Sequence, residues 1–118
     1  MSTKMYLATA HGVCVIEDLH GKWQSKGRLE RELVQCVAVD SRVKNVIYCG
    51  TFGAGVFRSD DAGDRWRPCN ALTNQKVMSL AIGESEDTSG PAVVYAGTEP
   101  SAIYLSIERR WRSLGRSA

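Results

Sequence analysis

Two histidines and four cysteines are the only imidazole and thiol side chains among 118 residues. The cysteines, Cys14, Cys36, Cys49 and Cys69, include no CxxC pair. With His11 and His20 they give no recognisable zinc spacing, so no metal site is expected. No apolar run approaches the roughly 20 residues of a membrane span. The opening "MSTKMYLATA" also lacks the sustained apolar core of a secretory leader. A cytoplasmic, reducing location without a membrane partner is the expectation. Neither sign of charge is in excess: 15 Lys and Arg against 13 Asp and Glu leave a net charge of +2, too little to argue for nucleic acid. The basic cluster "ERRWR" (108–112) interleaves Trp111 with arginines, as some nucleic-acid surfaces do. It reads instead as a solvated strand end. Helical periodicity is scarce too, since "RLEREL" (28–33) is the one helical stretch and is too short to stand alone.

What the chain does contain is a repeat. "YLAT", "YCGT" and "YAGT" align Tyr6, Tyr48 and Tyr95, with Thr9, Thr51 and Thr98 in step. The tyrosines lie 42 (6 to 48) and 47 (48 to 95) residues apart, and Trp23, Trp66 and Trp111 follow at 43 and 45. "LVQCVAVD" (33–40) matches "KVMSLAIG" (76–83), and Leu29 matches Leu72. Within a unit, short apolar runs alternate with Gly, Asn, Asp and Ser turns, the pattern of strands and hairpins. The middle unit reads "LVQCVAVD", "VIYCGT", "GVFRSD" and a last strand from Arg65 or Trp66. Four strands in a period of about 40–50 residues are the signature of a β-propeller blade.

The expected fold class is therefore all-β: a single partial β-propeller of about three blades, each a four-stranded antiparallel sheet. The blades are placed at about 5–27, lacking its innermost strand, about 33–70 and about 76–115. Three blades cannot close a ring. Closure then needs a homo-oligomer, most simply two chains giving six blades, or the remainder of a longer propeller. Open sheet faces and an unpaired edge at residues 5–10 are expected association sites.

"SDDAGDRW" (59–66) could be the paired carboxylates of a metal loop or an acid–base pair, or simply a turn. It has the form S-x-D-x-G-x-x-W, with Ser59, Asp61, Gly63 and Trp66 in the fixed places. Together with the preceding "YCGTFGAGVFRS" it resembles the Asp-box, or BNR-repeat, propellers, among them sialidase-like and photosystem II assembly factor-like proteins. The resemblance implies a hairpin between the third and outermost strands of a blade. A carboxylate at the start of a tight turn accepts backbone N–H bonds, Gly63 relieves a strained dihedral, and Trp66 covers the turn. The four residues are therefore expected to be structural. The first unit, "IEDLHGKW" (16–23), keeps Asp18 and Trp23 only. The third, "SIERRW" (106–111), is two residues shorter, with Glu108 where Asp belongs.

Positions alike in all units serve the repeat, so function is sought where the units differ. The loops "AHG" (10–12), "FGAG" (52–55) and "EPSA" (99–102) are expected together on the face opposite the Asp-boxes. His11, Phe52 and Glu99 are the candidate ligand-binding residues there. "GTFGAG" (50–55) leads into a strand rather than a helix, so it is a hairpin loop and not a phosphate cradle. Resemblance to sialidases implies an arginine cluster, a Tyr–Glu nucleophile pair and an acidic proton donor. No FRIP-like motif is present, and all three tyrosines above occupy repeat positions. A non-catalytic scaffold for binding or assembly, without cofactor and with a protein or glycan ligand, is the expected function. The alternatives are a fragment of a sialidase-like glycoside hydrolase or a shortened propeller that self-assembles. Finally, "VQCVAVDSRVKNVIYCGT" (34–51) is symmetric about the gap between Arg42 and Val43. That symmetry sets Cys36 opposite Cys49 on one face, within disulfide span but reduced in the expected compartment.

Overall fold

The computed structural model describes residues 3–69, 72–83, 92–107 and 110–115. Glu108 and Arg109 of "SIERRW" lie outside them. The chain is all-β, with three antiparallel sheets that follow one another in sequence. The first holds β1 (Lys4–Thr9), β2 (Gly12–Leu19) and β3 (Lys22–Arg28). The second holds β4 (Val34–Val39), β5 (Ile47–Thr51), β6 (Gly55–Ser59) and β7 (Arg67–Pro68). The third holds β8 (Lys76–Gly83), β9 (Val93–Glu99), β10 (Ala102–Ile107) and β11 (Arg110–Gly115). Each sheet is a meander in which sequence neighbours pair. "RLEREL" is not helical; a Glu32 amide to Leu29 carbonyl bond of 2.9 Å turns it toward β4. No helix among the described residues is long and apolar enough to cross a membrane.

The sheets are stacked, with β1 beside β4 and β4 beside β8. Two apolar layers hold the stack. Val13 and Val15 of the first sheet, with Tyr6 and Leu29, meet Val34, Cys49, Phe57 and Trp66. On the other side of the second sheet, Tyr48 and Val56 meet Leu72, Val77, Val94 and Ala96. Side chains alternate along a strand, so a strand covered on both faces is buried at every position. β5 is such a strand, whereas β1 is exposed except at Tyr6.

The β4–β5 pairing corrects the expected register by one residue. Val37 faces Cys49, and Cys36 faces Gly50. The cause lies in the connection, which is five residues long rather than four. The Asp40 amide donates to the Val46 carbonyl at 3.0 Å. Asp40 Oδ1 accepts the Arg42 and Val43 amides at 2.8 and 3.1 Å, and Asn45 is left-handed at φ 71°. A one-residue slip turns a side chain to the opposite face. Cys36 therefore packs in the second apolar layer and Cys49 in the first, and all four cysteines are free thiols. Burial, then the neighbouring Cys36, pushes the Cys49 thiol up to about 12. The last strand of the middle unit also begins later than expected, at Arg67. The Arg65 amide and the Trp66 indole are both engaged by the preceding turn.

Candidate functional site

Two places in the fold carry the residues singled out by the sequence. The first is the turn from Ser59 to Trp66. Ser59 ends β6, fully buried, and its hydroxyl donates to Asp61 Oδ1 at 2.9 Å while accepting the Gly63 amide at 2.8 Å. Asp61 Oδ1 also accepts the Arg65 amide at 2.8 Å. The Trp66 indole N–H donates to the Gly63 carbonyl at 2.8 Å. The Arg65 amide, aided by the Ser59 hydroxyl, holds the Asp61 carboxyl below its ordinary range. The other two carboxylates meet arginines: Asp60 pairs with Arg58 at 2.8 Å and Asp64 with Arg28 at 2.7 Å. Three acids in six residues thus serve the turn and its neighbours rather than converging on one point.

The turn reaches further than its sequence indicates. The Tyr6 hydroxyl, from the first sheet, donates to the Ala62 carbonyl at 2.8 Å. Arg28, at the end of β3, donates Nε to the Asp64 carbonyl at 3.0 Å as well as pairing with its carboxylate. A Cβ on Gly63 would stand 2.7 Å from the Tyr6 ring. The turn is therefore a joint between two sheets. Tyr6 was visible as a repeat position, but no local spacing marked Arg28. A cleft of about 300 Å³ opens beside this joint, lined by Lys4, Glu17, Lys26, Arg28 and Asp64 among others. Its charges are largely matched, with Lys4 3.8 Å from Glu17.

The first unit does not reproduce the turn. Asp18 and Trp23 are direct cross-strand partners, closed by a two-residue turn in which His20 and Gly21 are left-handed at φ 55° and 81°. With so short a turn no amides are left for a carboxylate to brace. Asp18 Oδ1 is buried without a hydrogen-bond partner among the described residues.

The second place is the opposite end of the strands. Thr9 and Thr51 donate across their loops to the carbonyls of Gly12 and Gly55, at 2.9 and 2.7 Å. They accept the His11 and Ala54 amides in return. Thr98 donates to the Pro100 carbonyl at 3.1 Å. The repeated threonine is thus a loop clasp. Gly12 and Gly55 share a second duty, because a Cβ there would sit 2.1 and 2.0 Å from the carbonyls of Arg28 and Leu72. The "GTFGAG" stretch is the β5–β6 hairpin, as expected.

The loops line one end of the stack. The Phe52 amide donates to the Leu33 carbonyl at 2.9 Å, and the Gly55 amide to the Gln75 carbonyl at 3.0 Å. Phe52 bridges Lys76, and Lys76 pairs with Glu99 across β8–β9. Phe52 and Glu99 therefore flank Lys76, whose ammonium lies 5.1 Å from the Phe52 ring centre, within cation–π range. Sequence reading missed Lys76, since its repeat counterpart is Leu33. His11 is exposed on the β1–β2 loop, its side chain without a hydrogen bond or ion pair among the described residues. The structure sets Phe52 and Glu99 on backbone either side of Lys76, with only the Phe52 ring touching its ammonium, and leaves His11 apart.

The Ser59 hydroxyl, which donates to the Asp61 carboxylate, is fully buried within its turn. Burial raises Tyr48 despite the opposing Arg58, and burial and then Glu17 raise Tyr6. Both shifts disfavour the phenolate that a nucleophilic tyrosine needs. Among the described residues no three His, Cys, Asp or Glu side chains gather as a metal site would require. No family model and no curated protein matches the chain.

Proposed function

We propose that the chain is a non-catalytic scaffold of β-propeller type, three Asp-box-like blades that bind or assemble rather than turn over a substrate. One observation carries the reading. The chemically suggestive residues, Ser59, Asp61 and the repeated threonines, spend their polar atoms on turns and clasps within the fold. The position that varies between units, Lys76 between Phe52 and Glu99, stays exposed at one end. A cation beside an aromatic face suits a ligand with carboxylate or hydroxyl groups and a flat apolar patch, as a glycan or an acidic peptide segment presents. Further sheets of the same kind, from other copies or from a longer chain, complete the ring.

Amide chemical shifts recorded against sialylated and neutral oligosaccharides test the reading. Shifts centred on Phe52, Lys76 and Glu99, abolished by Lys76→Ala, are expected. Hydrolysis of an aryl sialoside by the purified protein would overturn it.

A further inference from the structure

Among the described residues, the stack buries two kinds of sheet face and leaves one of each kind with no sheet packed on it. Tyr6, Val13 and Val15 turn toward the second sheet. Alternation therefore turns Leu7, Cys14 and, across the β2–β3 pairing, Trp23 to the outer side. Leu7 is 49% and Trp23 56% exposed. In the third sheet Val94, Ala96 and Tyr104 face the second. Tyr95 and Ile103, cross-strand neighbours of residues on the outer side, face away and are 39% and 41% exposed.

The repeat says what each bare face accepts. Leu7, Cys14 and Trp23 are the counterparts of Cys49, Phe57 and Trp66, the residues with which the second sheet receives the first. Tyr95 and Ile103 are the counterparts of Tyr48 and Val56, with which the second sheet receives the third. Each bare face thus matches one half of a joint already made inside the chain. Charge agrees. Arg110 and Arg112, opposite Ile107 and Leu105, share the bare face of the third sheet. Asp18 lies on the outer side of the first, beside Trp23, its Oδ1 buried without a partner among the described residues. The internal joint pairs the same signs in the same sense, Arg28 from an outermost strand with Asp64 in the next sheet's turn. Contiguous exposed apolar surface of this kind marks an association site.

We infer that the chain docks head to tail on a second copy of itself, the third sheet's bare face against the first sheet's bare face. Resting on the stacked-scaffold reading above, this names its partner. A second copy is the occupant because one molecule carries both halves of the joint. Tyr95 then reaches the β2–β3 turn of the next copy as Tyr6 reaches Ala62. That turn offers left-handed His20 and Gly21 where the internal one offers Ala62 and Gly63.

Sedimentation velocity on the full chain and two variants tests this. At about 100 μM, above the micromolar weak end of standard interfaces, the wild type is expected to associate. Leu7→Glu spoils one face and Ile103→Glu the other, so each variant alone is expected to be a monomer. Mixed, they are expected to form a 1:1 heterodimer through the one undamaged pair of faces. Tyr95→Phe is expected to weaken wild-type association by roughly two- to tenfold, the worth of one hydrogen bond. A monomeric wild type, or a Leu7→Glu variant that still pairs with itself, would overturn the inference. Circular dichroism separates the two readings: a folded monomer defeats docking alone, whereas loss of the β-sheet signal in the wild type defeats the scaffold itself.

Discussion

Gly63 shows how one residue holds two sheets at their working distance. Its φ of 94° suits glycine, and the space where a Cβ would go is filled by the Tyr6 ring at 2.7 Å and Val15 at 3.2 Å. Gly63→Ala is expected to cost about 1–3 kcal/mol through overpacking and strain, read as a lower denaturant midpoint at unchanged slope. Tyr6→Phe removes only the bond to Ala62 and should cost less, about 0.5–1.5 kcal/mol. A loss from Tyr6→Phe larger than that from Gly63→Ala would reverse the assignment of the joint to packing. Acid acts on the same turn. Asp61 and Asp64 are held below their ordinary 3.8, the first chiefly by the Arg65 amide and the second by Arg28. A depressed carboxyl stabilises the fold fully above the unfolded value and loses that contribution as pH falls through the folded one. The melting temperature should therefore be flat near neutrality and fall below pH about 4. In Asp61→Asn the fall should be shallower, and an equally steep fall in that variant would exclude Asp61 as a contributor.

At the scale of strands, the sequence identified the elements but missed one register. The threonine landmarks marked hairpin loops because Thr9 and Thr51 do the same work in their units, each clasping its loop, whereas Trp66 caps a turn that Trp23 does not. Such local duties leave local signatures. The β4–β5 register was set by whether Asp40 closes a four- or a five-residue connection. That choice depends on Asn45 entering the left-handed region, which composition does not dictate. Arg28 and Lys76 escaped notice for another reason, since their partners belong to other sheets. The corrected register has a chemical consequence. Cys49 is fully buried and pushed up to about 12, whereas Cys14, Cys36 and Cys69 are half-buried. A chromogenic thiol reagent should leave Cys49 unmodified in the native protein and find four thiols after denaturation. Modification of Cys49 at the rate of an exposed thiol, located by peptide mapping, would contradict the burial that the register dictates.

For the molecule as a whole, stacking in one direction makes stability depend on position in the stack. Among the described residues the main contacts between sheets join sequence neighbours, so energies add along the row as in repeat proteins, and the outer units open first. The second sheet is the one packed on both faces by described residues, and β5 is buried at all five of its positions. Among the described residues β1 pairs on one edge only, and its outward side chains Met5 and Leu7 are exposed. Opening β1 alone breaks one ladder and exposes little new apolar area, whereas opening β5 breaks two ladders and both apolar layers. Native-state hydrogen exchange should therefore show β5 amides exchanging through global unfolding, with a denaturant slope equal to that of the whole chain. The β1 amides should exchange through smaller openings with a shallower slope. Docking of a second copy covers the outward face of the first sheet, so protection of β2 should rise with protein concentration while that of β5 stays constant. Equal slopes for β1 and β5 at low concentration would mean that the three sheets unfold as one unit, and the additive picture of the stack would have to be abandoned.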